Sequence, residues 1–539
     1  MADLDNRETA DRLEAFATLL ELAEANPYTA RAYRRAAETI RGAPSPVAEL
    51  VRAGRVRGLR GIGPGIEARL RELIETGEIA ELTELERELA PDLVGLGRYL
   101  GLGALRTVEL ARALDIRTAE EFREAAAAGR LQSVPGIGAK TEARLLEGLV
   151  RENAPRPRHG LLLNRARKLV AGVATALDGV AAGDVRRWRD SCERLSVVCA
   201  SQRPGPLLAE FIRLPQIVAQ LERSTRRAVG VTVEGVPIEL VVATPEQFGT
   251  ELVRATGAPA YVAALEPLPA AADEESVYAA LGIPWCPPEL REQPFSDAPP
   301  ALVEIGDIRG DLHCHTTYSD GRASVEEMGR AAAERGYEYL AICDHTPAVG
   351  AVPGLTGDDV RRQAYEIAAA NETLAPFRVL RGIECDILAD GRLDLPDDVL
   401  AELDWVQASV HAGQRMPASQ MTTRVEEALR NPYVRCLSHP TGRYINRRPE
   451  NALDLERIFE VALEEDVALE INGLPLRLDL SGEHVREALE AGVKVVCSTD
   501  AHSVRGLDNM EFSVATGRRG GATATAVLNT RPLAELLAR

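Results

Sequence analysis

The chain has 539 residues, of which 45% are hydrophobic, and a formal net charge of −19. This length exceeds what one hydrophobic core normally organises, so two to four domains are expected. The sequence has no apolar run of about 18 residues, which argues against a membrane span. The acidic N-terminus is unlike a secretory signal, and we expect a cytoplasmic protein. The negative net charge argues against a general affinity for nucleic acid, although individual regions of the surface can still be basic.

Two helical segments at the N-terminal end are predicted as domains over residues 1–90 and 91–155. Each contains a glycine-rich turn. The first turn contains Gly61, Gly63 and Gly65 and opens a predicted helix at 67–76; the second contains Gly136, Gly138 and Lys140. A fainter copy lies at 100–104. Such turns expose backbone N–H groups at a helix N-terminus, where they bind a DNA phosphate without reading bases. A plain pair of helices with a glycine cap is the alternative, and the repetition favours DNA contact.

A polar, proline-containing stretch at 151–159 separates these helices from a mixed segment. The hydrophobic pattern there predicts a helix over 161–177, another near 207–211, and three strands, at 195–200, 228–233 and 236–242. An α+β domain is therefore expected over 160–245, followed by a smaller region over 246–297.

From residue 303 to the C-terminus, short apolar strands alternate with helical segments, which is typical of a parallel barrel. The predicted strands lie near 303–312, 338–343, 378–383, 404–410, 434–438, 467–471, 494–498 and 524–528. Seven of the eight histidines fall between residues 313 and 502, and all of these except His484 lie near the end of such a strand. Catalytic groups of barrels gather at the carboxyl ends of the strands, so we expect one metal site there.

The order of these parts resembles a bacterial family X DNA polymerase (PolX) with a C-terminal PHP (polymerase and histidinol phosphatase) domain. The resemblance implies an 8-kDa-like domain with a helix-hairpin-helix, a fingers-like helix-hairpin-helix domain, a palm, a thumb-like region and a distorted (β/α)7 PHP barrel over 303–539. It also implies nine metal ligands, namely His313, His315, Asp320, His345, Glu384, His411, His439, Asp500 and His502.

The same resemblance distributes these ligands over three metal ions. The His313/His315 pair is expected to share one ion with Glu384 and Asp500. Glu384 would bridge to a second ion held with His411 and His439, and the remaining three ligands would hold the third. Imidazole-rich sites with bridging carboxylates suit Zn²⁺ or Mn²⁺ better than Mg²⁺.

Ions held in this way activate water near neutral pH and offset charge on phosphoryl oxygens, so hydrolysis of a phosphate ester is expected. The family implies 3′–5′ removal of nucleotides. Arg443 is a candidate to grip a phosphate, with a surface salt bridge as the alternative. Asp344 is a candidate to orient a ligand, or else to cap a helix. Asn472 either faces the site or caps a turn.

The polymerase centre departs from the family pattern where its chemistry takes place. The two positions of the family's Asp-x-Asp are Arg194 and Ser196, the third acidic position is Glu239, and Asp184 replaces a serine. One carboxylate of three is too few to hold two Mg²⁺ ions. Residues 1–139 contain no lysine, which also removes Schiff-base chemistry from the first domain. We expect an inactive polymerase centre; the rival explanation is a misaligned register.

Four functions remain open at this point. The leading hypothesis is a metal-dependent DNA 3′–5′ exonuclease in repair, on a PolX scaffold with an inactive polymerase centre. A working gap-filling polymerase with exonuclease is the second. A phosphatase for small phosphomonoesters, of the histidinol phosphatase type, is the third, and a DNA-binding scaffold with structural metals is the fourth.

Overall fold

The computed structural model describes residues 160–294 and 298–538 throughout, residues 27–81 and 110–141 with short gaps, and scattered positions between 6 and 20. The chain forms two compact units. Residues 1–160, 173–179 and 193–243 make up the first unit, and residues 161–172, 180–192 and 244–539 make up the second. No helix in the described part of the chain is long and apolar enough to cross a membrane.

The strands of the described residues are numbered in chain order. They are β1 Leu161–Leu162, β2 Val180–Gly183, β3 Ser191–Cys192, β4 Leu195–Ala200, β5 Ile217–Arg223, β6 Arg227–Thr232, β7 Pro237–Ala243, β8 Gly310–Cys314, β9 Tyr339–Ile342, β10 Arg378–Asp386, β11 Trp405–Ser409, β12 Cys436–Leu437, β13 Ala468–Asn472 and β14 Val495–Ser498.

The α-helices fall into three groups along the chain. Those before the barrel are Pro27–Arg41, Val47–Arg52, Pro64–Thr76, Ala119–Ala127, Leu163–Ala176 and Pro204–Arg213, and then Phe248–Thr256, Pro259–Leu265 and Glu274–Leu281. Those of the barrel region are Val325–Glu334, Gly357–Leu374, Asp397–Leu400, Ala418–Leu429, Leu455–Glu464, Gly482–Glu490, Met510–Arg519 and Leu533–Leu537.

The predicted hairpin at the N-terminal end is present as a helix, a 3-10 turn at Val56–Gly58 and the helix Pro64–Thr76. Gly61 has a φ of +85°, a conformation that glycine adopts without a steric penalty. A Cβ atom built on Gly61, Gly63 or Gly65 would meet nothing within 4 Å, so this backbone is open to a ligand. Gly138 is equally open, whereas Gly136, Lys140 and the third copy at 100–104 lie outside the described residues.

In the first unit, four strands pair in the order β4, β7, β6, β5, with β4 and β7 parallel and the others antiparallel. Strand β4 has the predicted bounds, and β6 and β7 lie within one residue of theirs. Strand β5 was not predicted, because its apolar residues alternate with Gln220 and Glu222 and give a weak signal.

In the second unit, seven parallel strands pair in chain order from β8 to β14. Their residues are almost all buried, as expected of parallel strands covered on both faces. The backbone at Cys314, which ends β8, also bridges to Ala501, just after β14, so the sheet is nearly a closed barrel. This confirms the predicted architecture, and it brings the carboxyl ends of all seven strands to one mouth.

The predicted strand at 524–528 was wrong. This stretch forms 3-10 turns at Ala524–Ala526 and Leu528–Thr530. The side chain of Asn529 makes hydrogen bonds of the kind that an eighth strand would make. Its Nδ2 donates to the carbonyls of Gly310 and Cys497, both at 2.7 Å. Its Oδ1 accepts from the Cys497 N–H at 3.1 Å. One buried amide thus links the outer strands β8 and β14 at the closed end of the barrel.

Candidate metal centre

The nine predicted ligands converge at the mouth of the barrel because each lies at or just after the carboxyl end of a strand. His313 and Glu384 lie on strands β8 and β10, and the other seven follow β8, β9, β11, β12 and β14 by a few residues. The side chains of eight of them form three groups of potential ligand atoms: His313/His315/Asp500, His345/Glu384/His411, and His315/Asp320/His345/His502. The ninth, His439, contacts Glu384.

The first group is formed by the histidine pair of β8. The Nε2 atoms of His313 and His315 lie 3.1 Å apart, and Nε2 of His315 lies 3.2 Å from Oδ1 of Asp500. Both imidazoles are fully buried. Two residues two apart on one strand point the same way, which explains why a short HxH motif produces this convergence.

Glu384 lies between two sets of imidazoles, with one carboxylate oxygen facing each set. Its Oε2 is 3.0 Å from Nδ1 of His345 and 3.4 Å from Nε2 of His313. Its Oε1 is 2.8 Å from Nε2 of His439 and 3.6 Å from Nε2 of His411. This is the arrangement expected of a bridging carboxylate.

Asp320 organises the third group from the loop after β8. Its Oδ2 is 3.1 Å from Nε2 of His502, and its Oδ1 is 3.6 Å from Nε2 of His345 and 3.8 Å from Nδ1 of His315. His315 and His345 therefore belong to two groups each, a sharing that the sequence did not indicate.

The charges of the centre favour ionised carboxylates. Burial alone would raise the pKa of Glu384, but His411, His313 and His345 hold it well below its usual range. Burial lowers the pKa of His502, but the hydrogen bond with Asp320 and the charge of Asp500 raise it to about 9. Burial and repulsion from His502 and His345 lower the pKa of His315 to about 4. Ionised carboxylates beside imidazoles form a donor set for divalent transition metals, and binding of a metal ion displaces any proton that an imidazole carries.

Two further observations fit a metal centre. Nδ1 of His315 and Nδ1 of His439 are buried without a hydrogen-bond partner among the described residues. His439 and Asp500 have φ angles of +28° and +52°, a region that non-glycine residues rarely adopt and that clusters at functional sites. The residues present therefore fit the ions that the family implies.

Glu470 is a functional candidate that the sequence analysis missed. It lies on β13, is fully buried, and its Oε1 accepts a hydrogen bond of 2.6 Å from Nδ1 of His313. Its Oε2 accepts from the N–H of His439 at 2.6 Å and from Oγ of Ser438 at 3.0 Å. Such a carboxylate fixes the ring and tautomer of a ligand histidine. A single acidic residue inside a predicted strand gave no signal of this role.

Asp386 and Asn472 support ligands in the same way. Asp386 accepts from the His411 N–H at 3.2 Å, and its Oδ2 is 3.3 Å from Nδ1 of His411. Nδ2 of Asn472 donates to Oδ2 of Asp500 at 3.0 Å, so Asn472 faces the site.

Asp344 is fully buried and accepts hydrogen bonds from the Thr316 N–H at 2.8 Å and from Nε2 of Gln363 at 2.6 Å. These bonds hold the start of the loop that carries Asp320. Its predicted role as an orienting residue stays a prediction.

Arg443 pairs with protein groups. Its guanidinium is 2.9 Å from Oδ2 of Asp190 and donates to the carbonyls of Arg477 and Leu478. The salt bridge expected as the alternative is present, and its role in gripping a phosphate stays a prediction.

Two of the polymerase-like positions are neighbours in the sheet of the first unit. Ser196 of β4 is the direct neighbour of Glu239 on β7. The Glu239 carboxylate forms an ion pair with Arg227 on β6. In the second unit, Asp184 pairs with the buried guanidinium of Arg187 at 2.5 Å.

Two family models match the chain: a helix-hairpin-helix domain over residues 4–79 and a PHP domain over residues 311–473. The chain is 34% identical over 557 residues to the DNA polymerase/3′-5′ exonuclease PolX of Bacillus subtilis, covering 97% of each chain. It is 32% identical over 201 residues to a probable phosphatase of Acetivibrio thermocellus, covering 36% of this chain and 78% of that one. A probable phosphatase of Caldicellulosiruptor bescii is 31% identical over 203 residues, or 36% of this chain and 79% of its own.

The short relatives match the chain over little more than a third of its length, whereas the Bacillus protein matches the arrangement of the whole chain. The helix-hairpin-helix region and the histidine-rich barrel mouth occur in the order that this long relative shares. The chain is an enzyme of the phosphoesterase type that belongs to the bacterial PolX family with a C-terminal PHP domain.

Proposed function

We propose that this protein is a cytoplasmic DNA 3′–5′ exonuclease of repair, with up to three Mn²⁺ or Zn²⁺ ions in the barrel mouth and no polymerase activity. The observation that carries the proposal is the convergence of nine imidazole and carboxylate ligands around Glu384 in a chain related throughout to a PolX enzyme. The proposal includes five domains, over residues 1–90, 91–155, 160–245, 246–297 and 303–539.

When bound, ions of this kind activate water and offset the charge on the phosphoryl group. The protein positions the ligand side chains. Glu470 and Asp386 direct the imidazoles of His313 and His411. Glu384 keeps two sets of ligands at a fixed separation, and the buried strand ends hold all of them rigidly.

Contact with DNA is proposed through the open glycine backbone of the hairpin turns, which suits phosphate oxygens and reads no bases. The turn at Gly61, Gly63 and Gly65 precedes a helix of 13 residues, whose N-terminus adds a favourable dipole. Gly136, Gly138 and Lys140 would act in the same way at the second turn.

Loss of polymerase activity is supported by the palm positions. Arg194, just before β4, and Ser196, on β4, offer no carboxylate, and the remaining acidic residue of the three positions, Glu239, is neutralised by Arg227. A site with a single, already paired carboxylate lacks the oxygen ligands that two Mg²⁺ ions need. Asp184, at the position of the family serine, is paired with the buried guanidinium of Arg187.

The test uses purified protein with Mn²⁺ and an end-labelled primer on a template with a one-nucleotide gap, with and without dNTPs. We expect the primer to shorten regardless of dNTPs, and the His411→Ala variant to be inactive. His484→Ala is the matched control, because His484 pairs with Glu450 and Glu487 away from the ligands. Extension of the primer would overturn the inactive polymerase centre.

A small phosphomonoester substrate is the second candidate, favoured by the short relatives named probable phosphatases that match the barrel. Release of phosphate from such an ester, without shortening of DNA, would favour this second candidate over the exonuclease.

A further inference from the structure

We propose that two exposed arginines of the barrel mouth, Arg415 and Arg447, bind the phosphates of the DNA strand that leads into the metal centre. The inference rests on the proposed function and deepens it, because it names residues that distinguish a polynucleotide from a small phosphate ester. A small ester has one phosphate to place at the ligands. A polynucleotide has further phosphates that lie outside them and that need cations of their own.

Both arginines lie on loops that follow a predicted metal ligand. Arg415 comes four residues after His411, which follows β11, and Arg447 comes eight residues after His439, which follows β12. Strands β11 and β12 are hydrogen-bonded neighbours, so the two loops leave the barrel side by side. A DNA strand whose scissile phosphate lies at these ligands can therefore pass over both loops.

The backbone at each arginine is fixed by a tight turn. The N–H of Met416 donates to the carbonyl of Gly413 at 3.2 Å, so Arg415 lies at the tip of this turn. In the next loop, the N–H of Arg447 donates to the carbonyl of Tyr444 at 2.9 Å. Both arginines are exposed. A cation on a fixed turn loses little backbone freedom when it binds a phosphate, which favours binding.

The two loops are basic, although the chain as a whole is acidic. The sequence has 82 acidic residues and 63 lysines and arginines. Residues 411–417 and 439–449 nevertheless contain four arginines and no aspartate or glutamate. A local excess of cations is expected at a surface that binds a phosphate backbone.

Arg415 and Arg447 also differ from other exposed arginines of the barrel region in their pairing. Five exposed arginines form an ion pair with a carboxylate, namely Arg309, Arg330, Arg362, Arg392 and Arg430. The side chains of Arg415 and Arg447 form no ion pair or hydrogen bond with any residue that the structure describes. A paired arginine has to give up its carboxylate before it binds a phosphate, whereas these two do not.

Solubility is the competing explanation, in which the two arginines only add charge to the surface. The two explanations differ in the salt dependence of DNA binding. Each phosphate contact releases counterions, so the logarithm of the binding constant falls with the logarithm of the salt concentration, by about 0.7 per contact to a single strand. A surface charge that contacts no phosphate leaves this slope unchanged.

The experiment compares the double variant Arg415→Gln/Arg447→Gln with the wild-type protein, both loaded with Mn²⁺. The matched control is Arg378→Gln/Arg531→Gln, at the closed end of the barrel. Arg378 begins β10, and the carbonyl of Arg531 accepts a hydrogen bond from Tyr339, the first residue of β9. Among the described residues, the side chains of these two arginines also lack an ion pair.

Binding is measured by fluorescence anisotropy at several salt concentrations, with a short single strand of DNA whose phosphorothioate linkages resist hydrolysis. Hydrolysis is measured with an unmodified strand and with the p-nitrophenyl ester of thymidine 5′-phosphate, a substrate with a single phosphate. We expect the double variant to have a salt slope smaller by about 1.4 and a KM for the strand about 10-fold higher. Hydrolysis of the ester should stay unchanged. Arg415→Lys/Arg447→Lys keeps both charges and should retain the slope.

An unchanged slope, an equal change in the control, or loss of ester hydrolysis in the double variant alone would overturn the inference. Failure of the proposed function gives a different result. The wild type would then leave the unmodified strand intact, while salt-dependent binding of the phosphorothioate strand would still require the two arginines.

Discussion

At the scale of single residues, the sequence alone predicts the ligands of this centre. It does not predict the residues that orient those ligands. His313 and His315 stand out because two histidines two apart at a strand end are unusual. Glu470 contacts His313, Ser438 and the backbone of His439, yet it is one acidic residue within an ordinary strand. Its partners come from strand β8 and from the end of β12, which are far apart in the sequence, so only the folded chain shows the role.

The Glu470→Gln variant should test that role. Glutamine has the same shape but a weaker acceptor, and it leaves Nδ1 of His313 without a charged partner. We expect a drop in metal affinity of about 10- to 100-fold with the fold retained. Metal titration followed by calorimetry measures the affinity, and circular dichroism checks the fold. Glu464→Gln, at an exposed position, serves as the control. Unchanged affinity would contradict the role of Glu470.

At the scale of elements, the alternation of strands and helices predicts the barrel because the parallel strands are mostly apolar, and some of the helices start with a recognisable cap. Ser324 and Thr356 form capping boxes with Glu327 and Asp359. The eighth strand was wrongly predicted because apolar runs do not reveal that a side chain, Asn529, closes the barrel instead.

The loop between β8 and the helix Val325–Glu334 depends on Gly321 for the placement of Asp320. A Cβ atom on Gly321 would lie 2.5 Å from the carbonyl carbon and oxygen of His315. Gly321→Ala should therefore displace the loop and weaken the ligand group of Asp320, His345 and His502. We expect about one metal ion fewer per chain, measured by mass spectrometry.

Gly306→Ala is the matched control, since a Cβ atom there meets nothing within 4 Å. Full metal content in Gly321→Ala would show that the loop adapts without moving Asp320.

At the scale of the whole molecule, the polymerase-like part of the second unit contributes to the barrel mouth. Asp190 precedes β3, and its carboxylate pairs with Arg443, four residues after the ligand His439. Burial raises the pKa of Asp190, but Arg443, Arg519 and Arg189 lower it, so the carboxylate is ionised.

Asp190→Asn should act at a distance from the ligands. The amide removes the charge that holds Arg443, and Arg443 in turn donates to the carbonyl of Arg477. A partly buried ion pair is broken while Arg443 remains, which costs more than loss of an exposed pair. We expect a several-fold higher KM for DNA with the metal content unchanged, because the loop that follows His439 loses a support while the ligands keep theirs. Asp178→Asn, at an exposed position in the first unit, is the control for the charge change. An unchanged KM in Asp190→Asn would mean that the barrel holds Arg443 and its loop without Asp190.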